Sequence, residues 1–379
     1  MSLLAEMNQK ALKLGVPMSV HLDVTYRCNE RCVHCYLDHD DHGEMTTAEI
    51  KNVLTQLSEA GVFLLTISGG EVFMRRDLFE ILEFARGLLF NVKLKTNAVM
   101  IREWEAKRIR ELGVEQVQIS VYSHRPEVHD AITKLPGSLK RTIEGIRLLC
   151  SQGVKVAIAN VLMAGNSADY AGVIALAKEL GVTYSVDPTI TPKIDGDRSI
   201  LQLSVEESML SQVFHDPALV GDVARFCAPP PPPDDDVMEG YPCSAGHTSC
   251  YISPYGEVFP CIAFPLPSGN LRRQRFMDVW RDSAELKQVR SIRAKHLTTC
   301  SSCSHVGTCT RCPGLAYMEG SMLGPSSADC QKSFQRTGIP SANMLKKTRA
   351  SSAGPLIQIQ SLAAGQGGSF TGEETVLPA

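Results

Sequence analysis

The strongest constraint on this chain is where its cysteines fall. Thirteen occur in 379 residues, and all but Cys150 and Cys227 belong to two groups. Cys28, Cys32 and Cys35 form the first. Cys243, Cys250, Cys261, Cys300, Cys303, Cys309, Cys312 and Cys330 form the second, far along the chain. An odd count fits a disulfide framework poorly. In a reducing compartment, clustered thiols are more often metal ligands than bridges. The N-terminal stretch MSLLAEMNQKALKLG lacks the apolar core of a signal peptide, and no apolar run reaches the length of a membrane span. The expected setting is therefore the cytoplasm. A formal net charge of −3 argues against a nucleic-acid partner, which calls for a strongly basic face.

Residues 18–195 alternate between short apolar strands and amphipathic helices. Val20, Leu22 and Val24 alternate with polar residues as a strand that runs into the first cysteines. Thr46 and Glu49 form a capping box before Ile50, Val53, Leu54 and Leu57, and Gly61 closes that helix. Strands are predicted at 63–68, 91–97, 114–123, 154–163 and 182–190, with helices between them. Repeated strand–helix units imply a parallel sheet with right-handed crossovers. The fold class is thus α/β, a partial, TIM-like (β/α)6 barrel preceded by an extension over 1–17. Residues 196–240 read as a linker that carries a helix over Val205–Phe214 and then an extended run at Pro229–Pro233, with three aspartates after it. A small turn-rich domain with a short β-hairpin and helices is expected over 241–336. The Ser-, Gly- and Gln-rich remainder, 337–379, is expected to be mostly disordered.

Three thiols on one loop directly after a strand leave a four-iron cluster with one iron free of protein ligands, an open site for a small molecule. In a parallel barrel, chemistry gathers at the C-terminal ends of the strands, where this loop lies. A zinc site completed by His34 or His42 is the alternative on spacing alone. The segment CNERCVHC resembles the signature of the radical S-adenosylmethionine (radical SAM) family. Ser68-Gly69-Gly70-Glu71, one strand–helix unit later, resembles that family's GGE motif. The resemblance implies that Cys28, Cys32 and Cys35 hold a [4Fe–4S] cluster and that His34 packs near adenine. It also implies that Gly69 and Gly70 let the backbone approach the ligand, and that Glu71 accepts a hydrogen bond from the methionine ammonium. Asn97 and Ser120 fall where the family contacts SAM. His129-Asp130 is expected to stabilise a loop.

On its own, the run Cys300-x2-Cys303-x5-Cys309-x2-Cys312 also reads as a zinc ribbon. The wider pattern, with Cys243, Gly256, Cys261 and Cys330, resembles the SPASM extension that carries two auxiliary iron–sulfur clusters. By that resemblance, Cys243, Cys261 and Cys312 bind the first auxiliary cluster, with Cys250 as the candidate fourth ligand. Cys300, Cys303, Cys309 and Cys330 bind the second. Cys150 and Cys227 are expected to be structural.

Family resemblance further implies reductive cleavage of SAM to a 5′-deoxyadenosyl radical, then hydrogen abstraction from a peptide or small-protein substrate. The alternatives are a sulfatase-maturing or haem-biosynthetic radical SAM enzyme and, in another class, a non-catalytic metal-stabilised binding module. Implied partners are a separate leader-peptide recognition protein, since no leader-binding domain is expected before the first strand, and a flavodoxin- or ferredoxin-type electron donor. Neither a nucleic acid nor a membrane is expected as a partner, and no acid or base residue is singled out.

Overall fold

A computed structural model describes residues 3–346. Helix α1 (Leu3–Leu14) leads into β1 (Ser19–Thr25), α2 (Thr47–Glu59), β2 (Leu64–Gly69), α3 (Leu78–Gly87), β3 (Asn91–Thr96), α4 (Glu103–Glu111) and β4 (Gln116–Ser120). Two helices follow, α5 (Pro126–Thr133) and α6 (Ser138–Ser151), then β5 (Val156–Val161), α7 (Tyr170–Glu179) and β6 (Thr183–Asp187). Strands β1 to β6 lie side by side in chain order, all parallel, and the sheet does not close. This is the expected half-barrel. Thr46 caps α2 reciprocally with Glu49, and Gly61, at φ +84°, ends its last turn.

Helix α5 is absent from the sequence reading. Its signal is Pro126 at the first helical turn, where a missing N–H costs nothing. Asp130 on this helix accepts from the backbone of Gly137 and Leu139 and from Ser138, so it does hold the following loop.

Residues 196–240 contain the helix expected over Val205–Phe214 and three further short ones. They carry α8 (Glu207–Phe214), α9 (Pro217–Val220), α10 (Val223–Phe226) and α11 (Asp235–Glu239). Val205, Leu210 and Val213 pack with Leu162, Tyr170 and Ile174 on the outside of the barrel. Burying each such aliphatic side chain is worth about 1.5–3 kcal/mol, enough to fold the segment back. Asp234 does more than solvate the proline run, because its side chain caps α11 through Val237 N.

The cysteine-rich part is not a free-standing unit. Strand β7 (Ser249–Ile252) pairs parallel with β1, and β8 (Glu257–Phe259) and β9 (Gly269–Asn270) continue antiparallel beyond it. An open half-barrel leaves one edge of β1 unpaired, and β7 satisfies it. Helices α12 (Phe276–Asp282) and α13 (Ala284–Ser291) add Phe276, Trp280 and Leu286 to the main core. Finally, α14 (Pro313–Met318) and α15 (Ser327–Thr337) bracket the last cysteines. Residues 337–346 were expected to belong to a mostly disordered tail. Up to 346 the chain is seated, with Ile339 O against His305 Nε2 and Ala342 N donating to Cys303 Sγ at 3.4 Å. The expectation for 347–379 lies outside the described residues.

Candidate active site

Strand β1 delivers the chain to the mouth of the barrel, and Cys28, Cys32 and Cys35 line a cavity of about 430 Å³ there. His34, Ser68, Gly69, Gly70, Asn97 and Ser120 share its wall. So do Ile262, Ala263, Pro265 and Met318 from the cysteine-rich part, so one space runs from the three-thiol loop to the neighbourhood of Cys261.

Burial pushes the Cys28 thiol up to about 12 and raises Cys32 and Cys35 as well. Without a cation these groups would be protonated at neutral pH, and bound iron supplies the charge that keeps them thiolate. Backbone N–H groups already point at sulfur, with Glu30 N to Cys28, Ala245 N to Cys243 and Leu315 N to Cys312, at 3.4 to 3.5 Å. All thirteen cysteines are free thiols. Among the described residues, no three His, Cys, Asp or Glu side chains converge as ligands of a single ion. A four-iron cluster binds each thiolate on a different iron and needs them farther apart, so the donor set fits it better than zinc.

The glycines serve the chain before they serve a ligand. A Cβ on Gly69, at φ +145°, would collide with Thr25 O, and one on Gly70 would lie 2.5 Å from Arg27 O. Their absent side chains let the end of β2 press against the start of the cysteine loop, fixed by Gly70 N to Thr25 O and Glu71 N to Arg27 O.

Glu71 is held by the chain itself. It is fully buried and does not line the cavity. Its carboxylate accepts from Thr96 Oγ1, Asn97 N and Phe73 N, at 2.7 to 3.1 Å. Burial raises its pKa, and these donors oppose that rise. Glu71 therefore ties the ends of β2 and β3 together. Asn97 is likewise engaged, donating to Asn29 Oδ1 at 2.8 Å and accepting from Val99 N.

His34 stands edge-on to Tyr122, with ring centroids 4.7 Å apart, and its Nδ1 has no partner. Burial pushes its pKa down to about 4, so it presents a neutral ring to the cavity. Ser120 interacts with Tyr122.

The later cysteines divide into two neighbourhoods. Burial raises Cys261, with Cys243 and Cys312 beside it adding repulsion. Burial lifts Cys300 to about 11, and Cys330, Cys309 and Cys303 are its thiol neighbours. The latter four line a second cavity of about 330 Å³. Cys250 lies on β7. It pairs in register with Val20, so it points to the helix side with Val20, Ile252 and Leu286. Burial pushes it up to about 12, Arg290 opposes that rise and Cys261 adds to it. Cys150 packs against the main core, and Cys227 donates to Phe214 O.

Sequence reading missed the inner face of β1. His21 lines the cavity, and its Nε2 lies 3.1 Å from Asp23 Oδ1. Asp23, fully buried, accepts from Tyr251 OH at 2.9 Å, and that hydroxyl pairs with Tyr26 OH at 2.7 Å. The alternation around Val20 and Leu22 flagged His21 and Asp23 as the other face, but not as the barrel interior. Lys95 on β3 also lines the cavity. Enclosure lowers its pKa, and Asp23 and Cys261 oppose that.

Comparison with known proteins accounts for this arrangement. Residues 22–180 match the model of the radical SAM superfamily, and residues 243–313 match that of the SPASM iron–sulfur cluster-binding domain. The AdoMet-dependent heme synthase of Methanosarcina barkeri is 27% identical over 329 residues, covering 80% of this chain and 93% of that protein. Mycofactocin maturase MftC of Mycobacterium tuberculosis is 27% identical over 352 residues, covering 89% and 88%. Streptococcus suis SuiB, solved with S-adenosylmethionine, superposes with a TM-score of 0.69 at 20% identity, over 86% of this chain and 81% of that one. At that identity the match shows a shared fold. The half-barrel, the three-thiol loop and both domain matches lead to one conclusion: this chain belongs to the radical SAM superfamily and carries an iron–sulfur cluster-binding SPASM domain.

Proposed function

We propose that the protein modifies a peptide or small protein by SAM-dependent radical chemistry. One observation carries this reading: a single cavity spans the three-thiol loop and the residues beside Cys261. A substrate segment held there lies between the two cluster neighbourhoods, where hydrogen abstraction and removal of the resulting electron are both in reach. SuiB, which shares the fold, has also been solved with its precursor peptide SuiA.

Cys28, Cys32 and Cys35 hold the first cluster, which when bound supplies the electron that cleaves the SAM sulfonium. Cys243, Cys261 and Cys312 hold one auxiliary cluster, and Cys300, Cys303, Cys309 and Cys330 the other. The remaining work falls to side chains. His34 and Tyr122 wall the nucleoside side of the cavity. Asp23 orients His21, which lines the cavity and takes a proton from substrate there. Lys95 offers positive charge to a substrate carboxylate. A flavodoxin- or ferredoxin-type donor supplies electrons, and a separate protein presents the peptide leader, all in the cytoplasm.

The test is anaerobic reconstitution, iron counting, and measurement of 5′-deoxyadenosine from SAM and dithionite. Candidate precursor peptides and a haem-precursor tetrapyrrole are then added in parallel. Peptide-stimulated cleavage with a mass change in the peptide supports the proposal. Stimulation by the tetrapyrrole alone would move the protein to the haem-forming relatives. No cleavage by iron-replete protein would leave a binding module.

A further inference from the structure

Strand β7 covers the β1 edge of the half-barrel, but the opposite edge has no cover. The sheet ends at β6, which pairs with β5 alone. In a parallel ladder, alternate residues turn both N–H and C=O to the same neighbour. Asp187 O accepts from Leu162 N at 2.9 Å, which fixes the alternation. Thr183, Ser185 and Asp187 therefore bond to β5, and Tyr184 and Val186 turn their main-chain groups to the free edge. Among the described residues, nothing bonds to those outward N–H and C=O groups.

A row of free N–H and C=O groups is a template for another extended chain. This one is short, because Pro188 follows directly and has no N–H to offer. It also opens on the substrate cavity. Ser185 and Asp187 line the same space as His21 and Lys95, and Thr183, Ser185 and Asp187 are exposed. Tyr184 and Val186 pack instead with Leu162, Ile174 and Leu210 on the outside of the barrel. A chain paired with β6 continues that pleat, so every second side chain enters the cavity and the others leave it. Amides repeating at strand pitch belong to a polypeptide; a tetrapyrrole has none to match this edge.

We propose that a short extended segment of the peptide substrate docks as an added strand on the free edge of β6, exchanging main-chain hydrogen bonds with Tyr184 and Val186. The added strand covers the open side of the half-barrel and aims alternate side chains into the cavity. This deepens the peptide reading and rests on it. Main-chain bonds are indifferent to sequence, so selectivity falls to the side chains that point inward.

The experiment is single-residue hydrogen exchange by mass spectrometry on reconstituted wild type. The probe is the precursor peptide that stimulates SAM cleavage in the assay above. Without peptide, the Tyr184 and Val186 amides should exchange about tenfold or more faster than those of Ser185 and Asp187. Saturating peptide should slow Tyr184 and Val186 about tenfold. Unchanged exchange at both, with cleavage still stimulated, would overturn the docking mode and leave the peptide reading standing. Slow exchange before peptide is added would also overturn it, because the edge is then already taken. A second copy is the occupant if the slowing grows with protein concentration, and residues 347–379 if it does not. Stimulation by the tetrapyrrole alone would remove the peptide reading and this docking mode together. Val186→Pro is the second test, since it deletes one edge N–H and leaves the bonds to β5 whole. An iron-replete variant should bind the peptide about tenfold more weakly, and wild-type affinity would refute the contact. If that variant does not hold iron, exchange in wild type decides.

Discussion

Replacing Glu71 with alanine separates a residue that shapes the site from one that touches SAM. In the folded protein its carboxylate receives Phe73 N, Asn97 N and Thr96 Oγ1 in a fully buried position. Alanine leaves two backbone N–H groups unpaired there, and each costs about 1–3 kcal/mol, whereas the Thr96 hydroxyl can rotate to another partner. Some of that loss is offset, since burial already disfavours the charge and raises the Glu71 pKa. The net cost is about 2–5 kcal/mol. For a chain of this size that corresponds to a melting temperature lower by roughly 3–6 °C. The assay is thermal unfolding of anaerobically reconstituted wild type, Glu71→Ala and Glu71→Gln without SAM, alongside SAM affinity. Gln should be intermediate, because its oxygen can accept one N–H while its amide faces the other. A Glu71→Ala protein that melts within about 1 °C of wild type but binds SAM poorly would refute the argument and return Glu71 to the ligand.

Three further outcomes can be checked. Cys250→Ala should keep the wild-type iron content, while Cys261→Ala should lose about four irons, one cluster's worth; equal losses would put Cys250 among the ligands. Tyr251→Phe removes one of the donors to the buried Asp23 carboxylate, which should cost about 1–3 kcal/mol in thermal or urea unfolding; an unchanged midpoint would mean water replaces the hydroxyl. His129 is buried, which pushes its pKa down to about 4 from an ordinary 6.5, against the opposing pull of Asp130. Its neutral form therefore contributes stability in full above about pH 6.5, and that contribution is lost as pH falls toward 4. The loss is about 3 kcal/mol, so stability measured from pH 7 to 4 should fall less steeply in His129→Gln than in wild type. Parallel curves would assign the acid sensitivity elsewhere.

Much of the fold is legible in local pattern. The capping box at Thr46 and Glu49, the closing Gly61 and the alternation of β1 arise from interactions within a few residues, so spacing alone reveals them. Helix α5 was harder, because its eight residues span only two turns and carry a single strong start signal, Pro126. The helix over 205–214 shows in local pattern, but its packing back onto the barrel depends on the apolar surface around Leu162 and Ile174, which local sequence does not display.

The sequence by itself determined the α/β alternation, the three-thiol loop and the existence of a second thiol-rich region, all encoded over short distances. Tertiary structure decided which groups meet. It sent Cys250 to the apolar side of β7 and left Cys261 beside Cys243 and Cys312. It turned Glu71 inward to the backbone and left Glu30 open to the cavity. It also brought Tyr251 to Asp23 across 228 residues. The physical reason is that a period of two names two faces of a strand without saying which becomes the interior. A carboxylate's role, in turn, depends on which donors packing brings within about 3 Å of it.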